Sequence, residues 1–167
     1  PLVAVRGGGH SVSGQSVCDG GLMIHLGPIR GVRVDPIART ARAGAGTLLG
    51  DLDSEAQSFG LVTTAGTVSH TGAAGLTLGG GTGYLTRKHG LTIDNLIQAD
   101  VVLADGSFVT ASRNHHPDLF WALRGGGGNF GVVTSAEYRV HPVAQVLGGL
   151  VIYPLDQARD VLRFYRD

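Results

Sequence analysis

Three glycine clusters punctuate the sequence: RGGGHS at 6–11, GLTLGGGTG at 75–83 and RGGGGNFG at 124–131. Each follows an apolar run and precedes another. Consecutive backbone N–H groups without Cβ atoms can curl into a concave nest for anionic oxygens, chiefly phosphate. Taken singly, each cluster reads as a tight turn between packed strands; three in one small domain favour the nest. His10, directly after the first cluster, has two readings. It is either a hydrogen-bonding residue at a turn or a neutral imidazole held beside a ligand as base or nucleophile. Arg6 reads as a phosphate fork or as a strand-end charge, and Asp94 and Asn95 as loop caps or ligand contacts.

Other chemistries are excluded. A formal G-x-G-x-x-G stands at Gly126, Gly128 and Gly131, but a strand pattern follows it, whereas a dinucleotide fingerprint opens a helix. No P-loop is present and no serine sits in a G-x-S-x-G elbow. The sole cysteine, Cys18, rules out an internal disulfide or a multi-cysteine metal site. His89, His115 and His116 are spaced like surface residues, so no metal is expected. Charge is balanced, 13 basic against 13 acidic residues, with no aromatic interleaving, which argues against nucleic acid. No apolar run approaches the ~20 residues of a membrane span.

The elements that must hold the clusters are short. Glycine makes up 28 of 167 residues, well above the usual ~7%, alternating with apolar strand-like runs; many short strands with a few short helices read as an α+β fold. Strands are expected over 2–6, 22–26, 31–35, 39–44 and 130–140, with hairpins turning at Asp35-Pro36 and Asp105-Gly106. Residues 47–58 predict a helix with Leu48, Leu49, Leu52 and Ala56 on one face and Gly60 as its stop. Further helices are expected over 117–124 and around 72–88. After Pro142 the sequence predicts a new strand, GLVIYPL (149–155), then a terminal helix.

With these motifs in view, the chain resembles the berberine-bridge-enzyme-like flavoproteins of the vanillyl-alcohol-oxidase family, which have a PCMH-type FAD-binding fold of short mixed and antiparallel strands with flanking helices. The resemblance rests on VRGGGHSVSG, DGGLMIHLGPIRGVRVDPIARTARAGAG, TTAGTVSHTGAAGLTLGGGTGYLTRKHGLTIDNL and DLFWALRGGGGNFGVVTSAEYRVHPV, covering nearly all of 3–143. It implies that Arg6, Gly7, Gly8, Gly9, His10 and Ser11 form the FAD pyrophosphate loop, with Gly14 also at the cofactor and His10 bonded to the flavin 8α-methyl carbon. It implies further cofactor contacts at Ala65, Gly66, Val68, Ser69, Thr71, Gly72, Gly75, Leu76, Gly79, Gly83, Asn95, Gly131 and Val133. Many relatives carry a second flavin link from a cysteine at the position of Val68, so a doubly attached flavin is not expected. Thr71 matches a position near flavin C4a that tunes oxygen access.

The resemblance also implies two units. Residues 1–143 would be the FAD-binding domain without its N-terminal part, and 144–167 the start of a truncated substrate domain. The catalytic base would lie beyond the chain. The expected activity is an FAD-dependent oxidoreductase taking hydride from a C–H beside a hydroxyl or amine of a sugar, alcohol or secondary metabolite. Oxygen or another acceptor would reoxidise the flavin. The alternatives are a flavin-binding module without turnover and a related non-covalent FAD enzyme. Abundant glycine, alanine and arginine with the single lysine Lys88 suggest a bacterial source, and the expected location is the cytoplasm.

Overall fold

A computed structural model describes residues 2–167; Pro1, the first residue of the expected FAD-binding unit, lies outside the described residues. The chain opens with β1 (Val3–Arg6) and β2 (Leu22–His25), which pair in parallel, Val3 opposite Leu22 and Arg6 opposite His25. Then β3 (Val32–Asp35) and β4 (Thr40–Gly44) form the expected hairpin. Its turn is an Asx turn, because the backbone N–H groups of Ile37 and Ala38 both donate to Asp35 Oδ1, at 2.9 and 2.8 Å. Helix α1 (Leu49–Gln57) buries Leu49, Leu52 and Ala56. Leu48 does not join that face. It caps the helix in an extended conformation, where Asp51 Oδ2 accepts its N–H at 3.1 Å.

Two-residue β5 (Leu61–Val62) precedes α2 (Ala73–Leu78) and α3 (Thr86–His89). The sequence predicts one helix around 72–88, and the backbone breaks it in two. Gly80 and Gly81 adopt φ of 107° and 74°, which no helix accommodates. A Cβ on Gly81 would lie 2.5 Å from Leu76 Cδ2 and 2.7 Å from Thr92 Cβ. The break is therefore built in by close packing.

β6 (Leu96–Val102) and β7 (Phe108–Ser112) form the second hairpin around Gly106, at φ 84°. Helix α4 (Pro117–Gly126) leads through a glycine turn to β8 (Val132–Arg139), the longest strand, and then to β9 (His141–Pro142), which pairs with β5. The main sheet is antiparallel, in the order β3-β4-β8-β6-β7. Its two faces differ. Ala41, Ala43, Ala99, Val101, Ala111, Ala136 and Tyr138 turn to the core against Leu49, Leu52, Phe120 and Leu123. The other face carries Arg42, Asp100, Ser135 and Glu137, the alternation expected of a sheet with one wet side.

The expected strand over 149–155 does not form. Leu150, Val151 and Ile152 are exposed and have no partner strand among the described residues, so their apolar, β-prone pattern has nothing to pair with. Helix α5 (Ala158–Arg166) closes the chain.

Candidate functional site

The three glycine clusters meet in one open cleft of about 1010 Å³, at the upper end of the ~300–1,000 Å³ usual for small-molecule sites. The loop after β1 brings Gly7, Gly8, Gly9, His10, Ser11 and Gly14 to it. The approach to α2 and the helix itself bring Thr71, Gly72, Gly75, Leu76 and Gly79. The end of α4, the turn after it and the start of β8 bring Gly125 to Asn129, Gly131 and Val133.

Backbone contact holds the first two loops together. A Cβ on Gly8 would overlap Gly72 N and lie 2.6 Å from its Cα; a Cβ on Gly72 would lie 2.9 Å from Gly8 Cα. Only glycines allow this crossing. Beyond it, among the described residues, the backbone N–H groups from Gly7 to Ser11 donate to no other protein group. Gly9, His10 and Ser11 are exposed and Gly7 and Gly8 half-buried, so water can reach these donors. Here they are free beside a cavity, as a nest for anionic oxygens requires.

The floor is glycine as well. A Cβ on Gly75, Gly125, Gly127 or Gly128 would meet nothing within 4 Å, so at these positions the cleft wall is bare backbone. Helix α2 is pinned to the sheet by a buried chain. Tyr138 donates to Thr77 Oγ1 at 3.0 Å, and Thr77 donates to the Ala73 carbonyl at 2.7 Å. Burial pushes the Tyr138 phenol up to about 12, outweighing the Thr77 hydrogen bond, so it stays a neutral donor.

Other nominated residues lie outside the cleft. The Arg6 guanidinium curls back against Gly9, where a Cβ would lie 2.9 Å from Arg6 Nε. Ala65 and Gly83 pack backbone on backbone, a Cβ on Gly83 overlapping the Ala65 carbonyl. A Cβ on Gly66 would press on Leu76 Cδ1 at 2.7 Å. Val68 and Ser69 are exposed on the loop before α2, their carbonyls accepting from Thr71 and Gly50.

Asn95, only 3% exposed, is fully used: Nδ2 donates to the His89 and Leu91 carbonyls, each at 2.9 Å, and Oδ1 accepts from His141 Nε2 at 2.7 Å. That is the capping reading. His141 is held below the ordinary imidazole range by burial first, then by His89, Arg139, Arg39 and Lys88. Among the described residues no group of three or more metal-ligating side chains gathers.

Sequence reasoning missed the far half of the first loop. Ser13, Gln15, Ser16 and Cys18 line the cleft, and their small polar character carried no signal. It also missed His70, whose ring centroid lies 4.9 Å from that of His10. Its spacing to His10 means nothing until the loops cross.

Residues 2–112 match the family described as FAD binding domain. The chain is 46% identical over 153 residues to the FAD-linked oxidoreductase pgmH of Aspergillus terreus, covering 92% of this chain and 31% of that protein. The crystal structure of 6-hydroxy-D-nicotine oxidase from Arthrobacter nicotinovorans superposes with a TM-score of 0.83 at 41% identity, over 84% of this chain and 31% of that one. Glucooligosaccharide oxidase from Acremonium strictum, described with a 6-S-cysteinyl, 8α-N1-histidyl FAD, gives 0.79 at 41%, over 83% and 30%. Berberine bridge enzyme gives 0.80 at 33%, over 86% and 29%. The chain spans about a third of the length of the curated relatives it matches.

Proposed function

Since the chain belongs to the FAD binding domain family, we propose that it is the flavin-holding part of an FAD-dependent oxidoreductase, with the flavin attached covalently through His10. The observation that carries this reading is the cleft where three glycine-rich walls converge, with unused backbone donors from Gly7 to Ser11 and the His10 imidazole beyond them. Those donors suit a pyrophosphate. The bare walls at Gly75 and Gly125 to Gly128 leave room for a flat ring system against backbone. The likeness to a glucooligosaccharide oxidase whose flavin is histidyl-linked supports the role of His10. That enzyme's flavin is also cysteinyl-linked; the sequence resemblance puts Val68 where such a cysteine would stand, which supports single attachment here.

When bound, FAD supplies hydride acceptance at N5 from a substrate C–H beside a hydroxyl or amine, with oxygen or another acceptor taking the electrons. The chain's own residues do the holding. The Gly7–Ser11 loop binds the anionic bridge, the Gly8–Gly72 crossing fixes where His10 stands, and α2, tied down by Tyr138, sets the opposite wall. Residues 1–143 form this unit, and 144–167 begin a substrate domain that completes the active site and supplies the catalytic base. A small-molecule substrate is proposed: a sugar, an alcohol, an amine or a secondary metabolite. No helix among the described residues is long and apolar enough to cross a membrane. The proposed bacterial source rests on composition, and a cytoplasmic location is proposed beside it.

The test uses the full-length protein. Acid-precipitated wild type stays yellow, and His10→Ala releases its FAD into the supernatant. Anaerobic addition of candidate sugars, alcohols and amines bleaches the oxidised flavin band with one class. Colourless wild-type precipitate overturns covalent attachment and leaves a non-covalent enzyme. Absence of bleaching across all classes overturns turnover and leaves a flavin-binding module.

A further inference from the structure

His10 and His70 each stand two residues from the Gly8–Gly72 crossing, one on either strand of it. Their ring centroids are 4.9 Å apart and their planes inclined by 41°. Backbone produces this juxtaposition, because the loops cannot slide where Gly8 and Gly72 leave no room for a Cβ. Thr71 N–H donates to the Val68 carbonyl at 3.0 Å, and Gly50 N–H to the Ser69 carbonyl at 2.9 Å, so the turn carrying His70 is fixed on both sides. Both histidines are exposed. Among the described residues neither ring makes a side-chain hydrogen bond, and the His70 ring lies against that of His10.

We propose that His70 is a positioning residue, whose ring restricts rotation of the His10 imidazole and presents it to the cleft for bonding to the flavin. This rests on the covalent reading above. In the bonding step a ring nitrogen of His10 joins the flavin 8α carbon, while the imidazole N–H and one methyl C–H break. Two protons go to solvent, which reaches both exposed rings. Two electrons pass through the flavin ring to dioxygen, giving hydrogen peroxide. An exposed imidazole otherwise samples several rotamers, and attack succeeds only from the aligned one. A neighbour that removes the other orientations speeds bonding without changing how tightly FAD is held. Orientation of liganding imidazoles by a second side chain follows the same logic.

The experiment uses full-length protein from a riboflavin-starved host, supplied with FAD in air. It measures separately the affinity for non-covalent FAD and the rate at which flavin becomes acid-stable. His70→Ala is expected to keep the wild-type affinity and attach flavin about 10- to 100-fold more slowly, the range seen on removing an orienting partner of a histidine ligand. His70→Phe, a flat ring without nitrogens, restores most of the rate. Attachment by His70→Ala at the wild-type rate overturns the proposal. So does an equal loss of affinity and rate, which marks a merely structural role. Should His70→Ala not fold, His70→Gln must show the same slow attachment with normal affinity, and a wild-type rate there overturns it. Wild type that never becomes acid-stable brings down the covalent reading instead, and the proposal with it.

Discussion

Two glycines that look alike in the sequence do opposite work in the cleft. Gly8 sits where two backbones touch, and a methyl group there would meet Gly72 Cα at 2.6 Å. Main chain cannot give way as a flexible side chain can, so Gly8→Ala must part the loops, an overpacking cost of about 1–3 kcal/mol. The expected result is a lower Tm together with weaker FAD binding, read by thermal unfolding and flavin titration. Gly75 lies inside α2, exposed to the cleft, with nothing within 4 Å of a Cβ. Gly75→Ala reduces backbone freedom in the unfolded chain, worth about 0.4–1 kcal/mol of stability, but puts its methyl where ligand should lie. Tm should hold or rise while FAD affinity falls. If both substitutions lower Tm alike, Gly75 belongs to the packing and the assigned cleft wall is wrong.

Helix α2 has few residues and stays in place through tertiary contacts, as short helices must. One such tie is Tyr138 on β8, buried to 1% exposure and donating to Thr77. Tyr138→Phe keeps the ring and deletes that hydrogen bond, so a loss of about 1 kcal/mol is expected from urea unfolding. FAD affinity should drop with it, because α2 carries Gly75 and Leu76. An unchanged affinity would separate α2 from the site. This tie could not be foreseen, since Thr77 and Tyr138 stand 61 residues apart. The hairpins at Asp35-Pro36 and Asp105-Gly106 were legible because a turn writes its chemistry into adjacent residues. So was the α1 face at Leu49, Leu52 and Ala56. The break after α2 was not, since the crowding that makes Gly81 necessary comes from Thr92. At the site, glycine clusters and His10 could be read, and partners such as His70 appeared only once separate loops met.

Across the whole molecule, the main sheet is joined on its wet face by one carboxylate. Asp100 on β6 accepts from Thr110 on β7 and Ser135 on β8, each at 2.8 Å, and pairs with Arg42 on β4. Four of the five strands therefore meet at a group only 8% exposed. Burial alone would raise its pKa, but the hydrogen bonds from Thr110 and Ser135 and the Arg42 charge together hold it below the usual carboxylate range. A carboxylate depressed in the folded state contributes stability that is fully present above its unfolded pKa, ~3.9. That contribution is lost as pH falls through the lower folded value. Wild-type Tm should therefore decline as pH drops below about 4. Asp100→Asn, with no charge to lose, should weaken this part of the decline. At neutral pH the substitution should cost about 1–3 kcal/mol, toward the lower end because Arg42 is 41% exposed and water can solvate it. Calorimetry of both proteins between pH 3 and 7 (roughly the window set by the unfolded carboxylate value) decides the matter. Parallel Tm profiles would mean that Asp100 is not the group whose protonation loosens the sheet, and that Arg42 gains as much from Glu137, 3.8 Å away.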